Sequence, residues 1–170
     1  MSRSYRLAAV AALLVFSGAR TAAAQSTANA SVFATAFVSG IAPLTASGVH
    51  DLDFGTVNAG STKGPTSMSA DAGRFNISGQ PSSPVTVSFV LPAVLTGAGS
   101  STIPISFGGS DGLRWNVYPA SFTTFNPNAP FLTSLDASGN LTVGISGTVA
   151  PPTGTTTGNY TGTITLTVAY

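Results

Sequence analysis

The sequence contains no cysteine, no glutamate and a single histidine, His50. Thiol nucleophiles, thiolate-bound zinc and disulfides are therefore excluded by composition alone. Charged residues make up only 6% of the chain, against roughly 25% in an average soluble domain. Because acids, bases and nucleophiles are so scarce, the composition argues against an enzyme. We expect no catalytic residue, no cofactor and no metal.

Positive charge is also scarce once the first 24 residues are set aside. Three of the six Lys and Arg residues lie in that segment, and the remaining three are outnumbered by five Asp. The formal net charge of residues 25–170 is therefore −2. Phosphate recognition requires clustered Lys and Arg, so the sequence predicts no binding of nucleic acid.

A secretory signal peptide is predicted over residues 1–24. Two arginines precede an apolar run at residues 7–16, and Ala22 and Ala24 form a small-residue cleavage site before Gln25. The apolar run is too short to cross a bilayer, which takes about 20 residues. We expect an exported protein without a membrane span in its mature form, found in the periplasm in transit and then at the cell surface or outside the cell.

The remainder of the chain predicts an all-β fold, because it is rich in Thr, Ser, Gly, Val and Pro, which disfavour helix interiors. Alternation is clearest at the carboxyl end, where Ile164, Leu166, Val168 and Tyr170 share one face. It also predicts strands at residues 85–91 and 141–146, with shorter candidates at 52–57, 74–78, 103–107 and 113–118. Turn-rich segments separate them, including residues 40–48 and a long loop at 148–159.

These short strands predict a single antiparallel, Ig-like β-sandwich of about seven to nine strands over residues 41–170. The preceding segment, residues 25–40, has two interpretations. Ser31–Val38 alternates, with Val32, Ala34, Ala36 and Val38 on one face. It is either the first strand of the sandwich or an extension that adds a strand to a neighbouring subunit, and the sequence leaves both open.

The last strand lacks the usual protection of a sheet edge. Residues 163–170 contain no charge, no proline and no glycine, although edge strands commonly carry such residues to prevent pairing with other chains. Either this strand pairs on both sides within its own chain, or one neighbour comes from another molecule. The low surface charge favours the second alternative.

Three blocks carry a resemblance to a known family. They are DLDFGTV at residues 51–57, GRFNISGQP at 73–81 and GNYTGTITLTVAY at 158–170. They look like the blocks of a bacterial secreted β-sandwich family of unassigned function. That family is in turn similar to chaperone-usher pilins and to the spore coat protein U domain.

The resemblance implies a pilin-like sandwich whose last strand and amino-terminal extension serve in polymerisation. It places the last-strand role on Tyr160, Ile164, Leu166, Val168 and Tyr170. It further implies self-association or pairing with related pilin-like subunits, assisted by a periplasmic chaperone and an outer-membrane usher. The function expected is a non-enzymatic structural or adhesive subunit of a fimbria-like surface assembly.

The alternative function is a monomeric secreted binding module, with surface glycans as a ligand class. Trp115, Phe122 and Phe125 belong to the densest aromatic group in the chain, and aromatic rings either stack on sugars or pack in a core. The one dense cluster of ligand-type residues is His50-Asp51-x-Asp53. We expect its carboxylates to accept local backbone N–H groups rather than to hold a metal.

Overall fold

The computed structural model describes residues 33, 35, 36, 40–117 and 120–170. Ser39–Tyr170 form one compact unit, to which the following description applies. Ala36 lies outside any strand and is exposed. Several residues singled out from the sequence lie outside the described residues, namely Ala22, Ala24, Gln25, Val32, Ala34 and Val38.

The described chain is all-β, as predicted, with one turn of 3₁₀ helix at Ala98–Ser100. Its strands are β1 (Thr45–His50), β2 (Gly73–Ser78), β3 (Pro84–Val90), β4 (Val94–Thr96), β5 (Thr102–Ser106), β6 (Gly112–Val117), β7 (Ser121–Phe125), β8 (Phe131–Ser134), β9 (Asn140–Ile145), β10 (Thr148–Val149) and β11 (Thr165–Ala169). These eleven strands in the described residues exceed the seven to nine expected. Strands as short as β4, β8 and β10 span too few residues for alternation to identify them.

Three sheets are formed, and every strand pair in them is antiparallel. Sheet I has the order β1-β2-β9-β6-β7, sheet II the order β11-β3-β8, and sheet III the order β10-β5-β4. The strands that showed the clearest alternation, β3, β9 and β11, are all present. Their pairing partners are distant in sequence, since β11 pairs with β3 and β9 lies between β2 and β6.

The main core lies between sheets I and II. Sheet I contributes Ile77, Val143 and Phe125, and sheet II contributes Val85 and Val87. Both of these sheet II valines and Val143 are fully buried. Removal of this apolar surface from water is the chief stabilising term, so the two sheets form an antiparallel β-sandwich.

A second apolar cluster is built on sheet III. Leu95, Ile103, Ile105 and Val149 are its buried members. Leu52, Phe54, Val57, Phe107 and Tyr160 pack against it while remaining partly exposed. Most of the partly exposed members come from segments without regular strand structure.

Three sequence-based expectations were wrong. Residues 52–57 form no strand, although Leu52 and Phe54 are spaced as in one. Leu52 and Phe54 pack on sheet III, but no neighbouring strand pairs with this segment. Conversely, the turn-rich stretch expected at residues 40–48 runs into the strand β1. The loop expected at residues 148–159 begins with the strand β10.

Within residues 40–117 and 120–170, no helix has the length and apolar character required to cross a lipid bilayer.

Candidate functional site

The last strand lies at a sheet edge. β11 pairs with β3 through five residue pairs, from Thr165 opposite Val90 to Ala169 opposite Thr86. No described strand pairs with its other side. Leu166 and Val168 are partly buried against the main core, while Thr165 and Thr167, which alternate with them, are exposed. The backbone N–H and C=O groups on the outer side of β11 therefore point away from sheet II.

The edge of sheet I approaches this edge. β1 is the terminal strand of sheet I and contacts β11. The two edges are joined at one end by Tyr170, whose hydroxyl donates to the carbonyl of Ala42 and accepts from the N–H of Gln80, both at 2.7 Å. The Gln80 side chain in turn accepts from the N–H of Ala42 at 3.0 Å. We call this set of hydrogen bonds the Tyr170 latch.

At the opposite end of the two edges the chain opens into a groove with a volume of about 990 Å³. Its floor contains Leu95, Ile103 and Ile105 of the second apolar cluster. One wall is the segment 51–59, which follows β1, and the other is the segment 155–164, which leads into β11. The volume is at the top of the roughly 300–1,000 Å³ range of small-ligand sites.

Each wall of the groove forms backbone hydrogen bonds with a part of the chain other than the opposite wall. Thr161 exchanges two backbone hydrogen bonds with Thr96 of β4, at 2.8 and 2.9 Å. On the other side, the Asp53 N–H donates to the Asp71 carbonyl at 2.9 Å. Among the described residues, no backbone hydrogen bond joins segment 51–59 to segment 155–164. The groove is therefore bordered by two backbone segments that are not paired with each other.

The predicted last-strand residues divide between the core, the groove and the latch. Leu166 and Val168 pack on the main core. Ile164 and Tyr160 line the groove, and the Tyr160 hydroxyl donates to the Thr156 carbonyl at 2.7 Å. Tyr170 is half exposed and belongs to the latch. The structure thus brings Tyr160 and Ile164 together at the groove and sets Tyr170 at the other end of the strand.

The groove floor was not identified from the sequence. Ile103 and Ile105 were predicted only as part of a strand, and Leu95 was not singled out. Their alternation along β4 and β5 indicates an apolar face, but nothing in it shows that this face meets the segment 51–59. That segment was noted for its sequence block rather than for its position.

The aromatic group that suggested a glycan-binding surface is largely buried in its described members. Trp115 and Phe125 are buried, with 4% and 8% of their surface exposed. Phe125 stacks on Phe89 and contacts Phe131 in the main core. Phe122 retains 44% exposure, so among the described rings of this group one is exposed and they form no platform.

The His50-Asp51-x-Asp53 cluster lies on the wall of the groove. The Asp53 carboxylate accepts the N–H of Gly55 at 2.7 Å, which is the local backbone role expected for it. Among the described residues, no three His, Asp or Glu side chains are grouped closely enough to hold a metal ion.

The latch makes a testable contribution to stability. Tyr170→Phe removes both hydroxyl hydrogen bonds, and we expect a loss of about 1 kcal/mol in the free energy of unfolding because these bonds are partly replaced by water. Thermal unfolding should show a midpoint lower by about 2–4 °C. Tyr160→Phe, which removes the bond to Thr156, is the control and should cost less. An unchanged midpoint for Tyr170→Phe would mean that the latch contributes nothing.

The fold and the site define an all-β sandwich domain with an open sheet edge beside a groove that has an apolar floor. The profile of the DUF4402 family, a domain of unknown function, matches residues 44–170. The chain therefore belongs to this family, and the match includes all eleven described strands. No curated protein matches the sequence.

Proposed function

We propose that this protein is a secreted, non-enzymatic subunit of a bacterial surface assembly, and that subunits join by addition of a β-strand at the β11 edge and its groove. The observation that carries the proposal is the position of β11, which has one partner strand among the described residues and is preceded directly by a wall of the groove. An added strand would gain main-chain hydrogen bonds along β11 and apolar contacts with the groove floor.

The β11 edge is less protected than the other edges near it. β8, on the far side of sheet II, has four residues and follows Pro130. β1, the edge strand of sheet I, contains Gly48, and its ladder is irregular between Gly48 and His50. Short length, proline and irregular pairing all discourage pairing with another chain. β11 contains neither proline nor glycine, and its ladder with β3 is regular, which supports it as the edge used in assembly.

The proposed occupant is the amino-terminal segment of another subunit, with Val32, Ala34, Ala36 and Val38 directed toward the groove. Two observations support it. The first described strand begins at Thr45 and the family match at residue 44, so the segment precedes the matched domain. Its small, alternating side chains also suit a groove whose floor already holds the larger residues. Related subunits, a periplasmic chaperone and an outer-membrane usher are the further partners proposed.

The proposal is tested by gel mobility of native surface material, loaded unheated and after heating in detergent. Strand-exchanged polymers are expected to give a ladder with subunit spacing that collapses to one band on heating. The double variant Thr165→Lys/Thr167→Lys places two charges on the exposed side of the edge strand and should abolish the ladder.

Thr86→Lys/Ser88→Lys is the matched control. These two residues lie on the same face of sheet II as Thr165 and Thr167, but on β3 in the middle of the sheet. The control variant should leave the ladder intact. A ladder that survives the β11 substitutions, or a single band in both lanes for the unmodified protein, would contradict the proposal.

A second candidate is a monomeric secreted binding module, and the groove itself favours it. Its volume suits a small ligand, and its lining includes the amide residues Asn58 and Asn159 as well as the aromatic residues Phe54 and Tyr160. A lining that contains both aromatic and amide residues suits sugars, which is the ligand class proposed. A single gel band, together with glycan-array binding that is lost in Tyr160→Ala, would support this function over assembly.

A further inference from the structure

β1 buries none of its residues. All six are exposed, whereas its neighbour β2 and the next strand, β9, both bury apolar residues in the main core. Apolar burial supplies most of the stability of a strand in a sheet. β1 therefore depends on its backbone pairing with β2 and on contacts at its two ends.

Those end contacts are few. Before the strand, Ala42 is bound by the Tyr170 latch, and Leu44 packs partly buried at the margin of the main core. Within it, the ladder with β2 is irregular between Gly48 and His50. After it, the next backbone hydrogen bond is that of Asp53 with Asp71. Opening of β1 breaks these bonds, the ladder, the bond from the Thr45 hydroxyl to the Ser78 carbonyl and the contacts with β11. It removes no buried side chain of β1 from the main core, so it belongs to the low-energy end of local unfolding.

The vacated edge of β2 would fit the same strand from another molecule. A second copy carries an identical β1, so the five register pairs that join β1 to β2, from Thr45 opposite Ser78 to His50 opposite Arg74, can form between copies without any new complementarity. Exchange of an identical element is a low-cost route to association. The connection over residues 51–72 contains no strand that would have to be broken.

We propose that β1 exchanges between copies of this protein, with the Tyr170 latch slowing its release. The partner is a second copy of the chain, and the surface is the outer edge of β2. This exchange uses a different edge from the β11 addition described above and does not depend on it.

Disulfide trapping tests this exchange. Because the chain contains no cysteine, an introduced cysteine can pair only with another introduced cysteine. Asn76 of β2 lies opposite Ser47 of β1 on one side and opposite Thr142 of β9 on the other. Facing residues of antiparallel strands are about 4.5–5.5 Å apart at Cα, which suits a disulfide. Two mixtures of full-length single variants are incubated at high concentration and oxidised: Ser47→Cys with Asn76→Cys, and, as control, Thr142→Cys with Asn76→Cys.

If β1 exchanges, the first mixture gives a disulfide-linked heterodimer on a non-reducing gel at several times the yield of the control mixture. The control stays low because β9 lies inside sheet I with buried side chains. Adding Tyr170→Phe to both partners should accelerate heterodimer formation roughly two- to tenfold, as expected for the loss of latch hydrogen bonds. The Thr45/Ser78 pair provides a second pair of positions for the same exchange.

Equal heterodimer yields in the two mixtures, at both the Ser47/Asn76 and the Thr45/Ser78 positions, would show that β1 stays in its own chain and would overturn the proposal. The mixtures are repeated with Thr165→Lys/Thr167→Lys present. Persistence of the heterodimer there, together with loss of the polymer ladder, would separate β1 exchange from strand addition at β11. Loss of the heterodimer in that background would overturn the claim that the two edges act independently.

Discussion

Trp115→Ala is expected to lower the free energy of unfolding by about 3–5 kcal/mol, the usual cost of removing a buried large aromatic side chain. Trp115 is 4% exposed. Its ring lies so close to Gly144 on the neighbouring strand β9 that a Cβ there would be 2.7 Å from it. Because the ring lies against the backbone of β9, its removal leaves a cavity bordered by sheet backbone. A small shift of one side chain cannot fill such a cavity. Equilibrium unfolding in urea measures the loss.

Phe122→Ala is the matched control for this prediction. Phe122 is the ladder partner of Trp115 on β7 and so lies on the same face of sheet I, but it is 44% exposed. We expect it to cost about 1 kcal/mol, since a half-exposed ring loses less apolar burial. Equal losses for the two variants would show that the tryptophan is not a core residue, and would return the aromatic group to consideration as a sugar-binding surface.

The second large effect is expected at the turn between β8 and β9. The Asp136 carboxylate accepts the N–H groups of Ser138 and Asn140, both at 2.8 Å, and the turn is completed by Gly139 with φ of +82°. A Cβ at Gly139 would collide with the backbone carbonyl of Gly79. Gly139→Ala therefore combines left-handed strain of about 1–2 kcal/mol with a steric cost of about 1–3 kcal/mol.

Gly154→Ala isolates the first of these two costs. Gly154 has a nearly identical φ of +86°, but nothing lies within 4 Å of a Cβ built on it. It should lose about 1–2 kcal/mol, and Gly139→Ala should lose about 1–3 kcal/mol more, as measured by equilibrium unfolding of both variants under the same conditions. If the two losses match, the contact with Gly79 relaxes at no cost and backbone strain alone accounts for the effect.

Local alternation was sufficient where a strand has one face on the core. β3, β9 and β11 each place apolar side chains at every second residue, and the buried residues of β9 are the ones that the pattern indicates. The period of two follows from strand geometry, so no knowledge of the partner strand is needed. β1 could not be found in this way, because all six of its residues are exposed and its pattern has no apolar face.

The segment 52–57 shows the opposite failure. Leu52, Phe54 and Val57 are buried enough to pack on sheet III, and the spacing of Leu52 and Phe54 resembles a strand. Spacing reports which side chains are buried, whereas a strand also requires a neighbouring backbone with which to pair. Here the neighbouring wall of the groove, residues 155–164, pairs with β4 through Thr161 instead.

The sequence by itself determined the all-β class, the scarcity of acid, base and thiol chemistry, and which face of the last strand turns inward. These depend on composition and on side-chain period, both of which are local. Only the tertiary structure decided that β11 is an edge strand, that Tyr170 closes one end of it and that a groove opens at the other. Each of these depends on contacts between residues far apart in sequence, such as Tyr170 with Ala42, and local patterns carry no information about which distant segments meet.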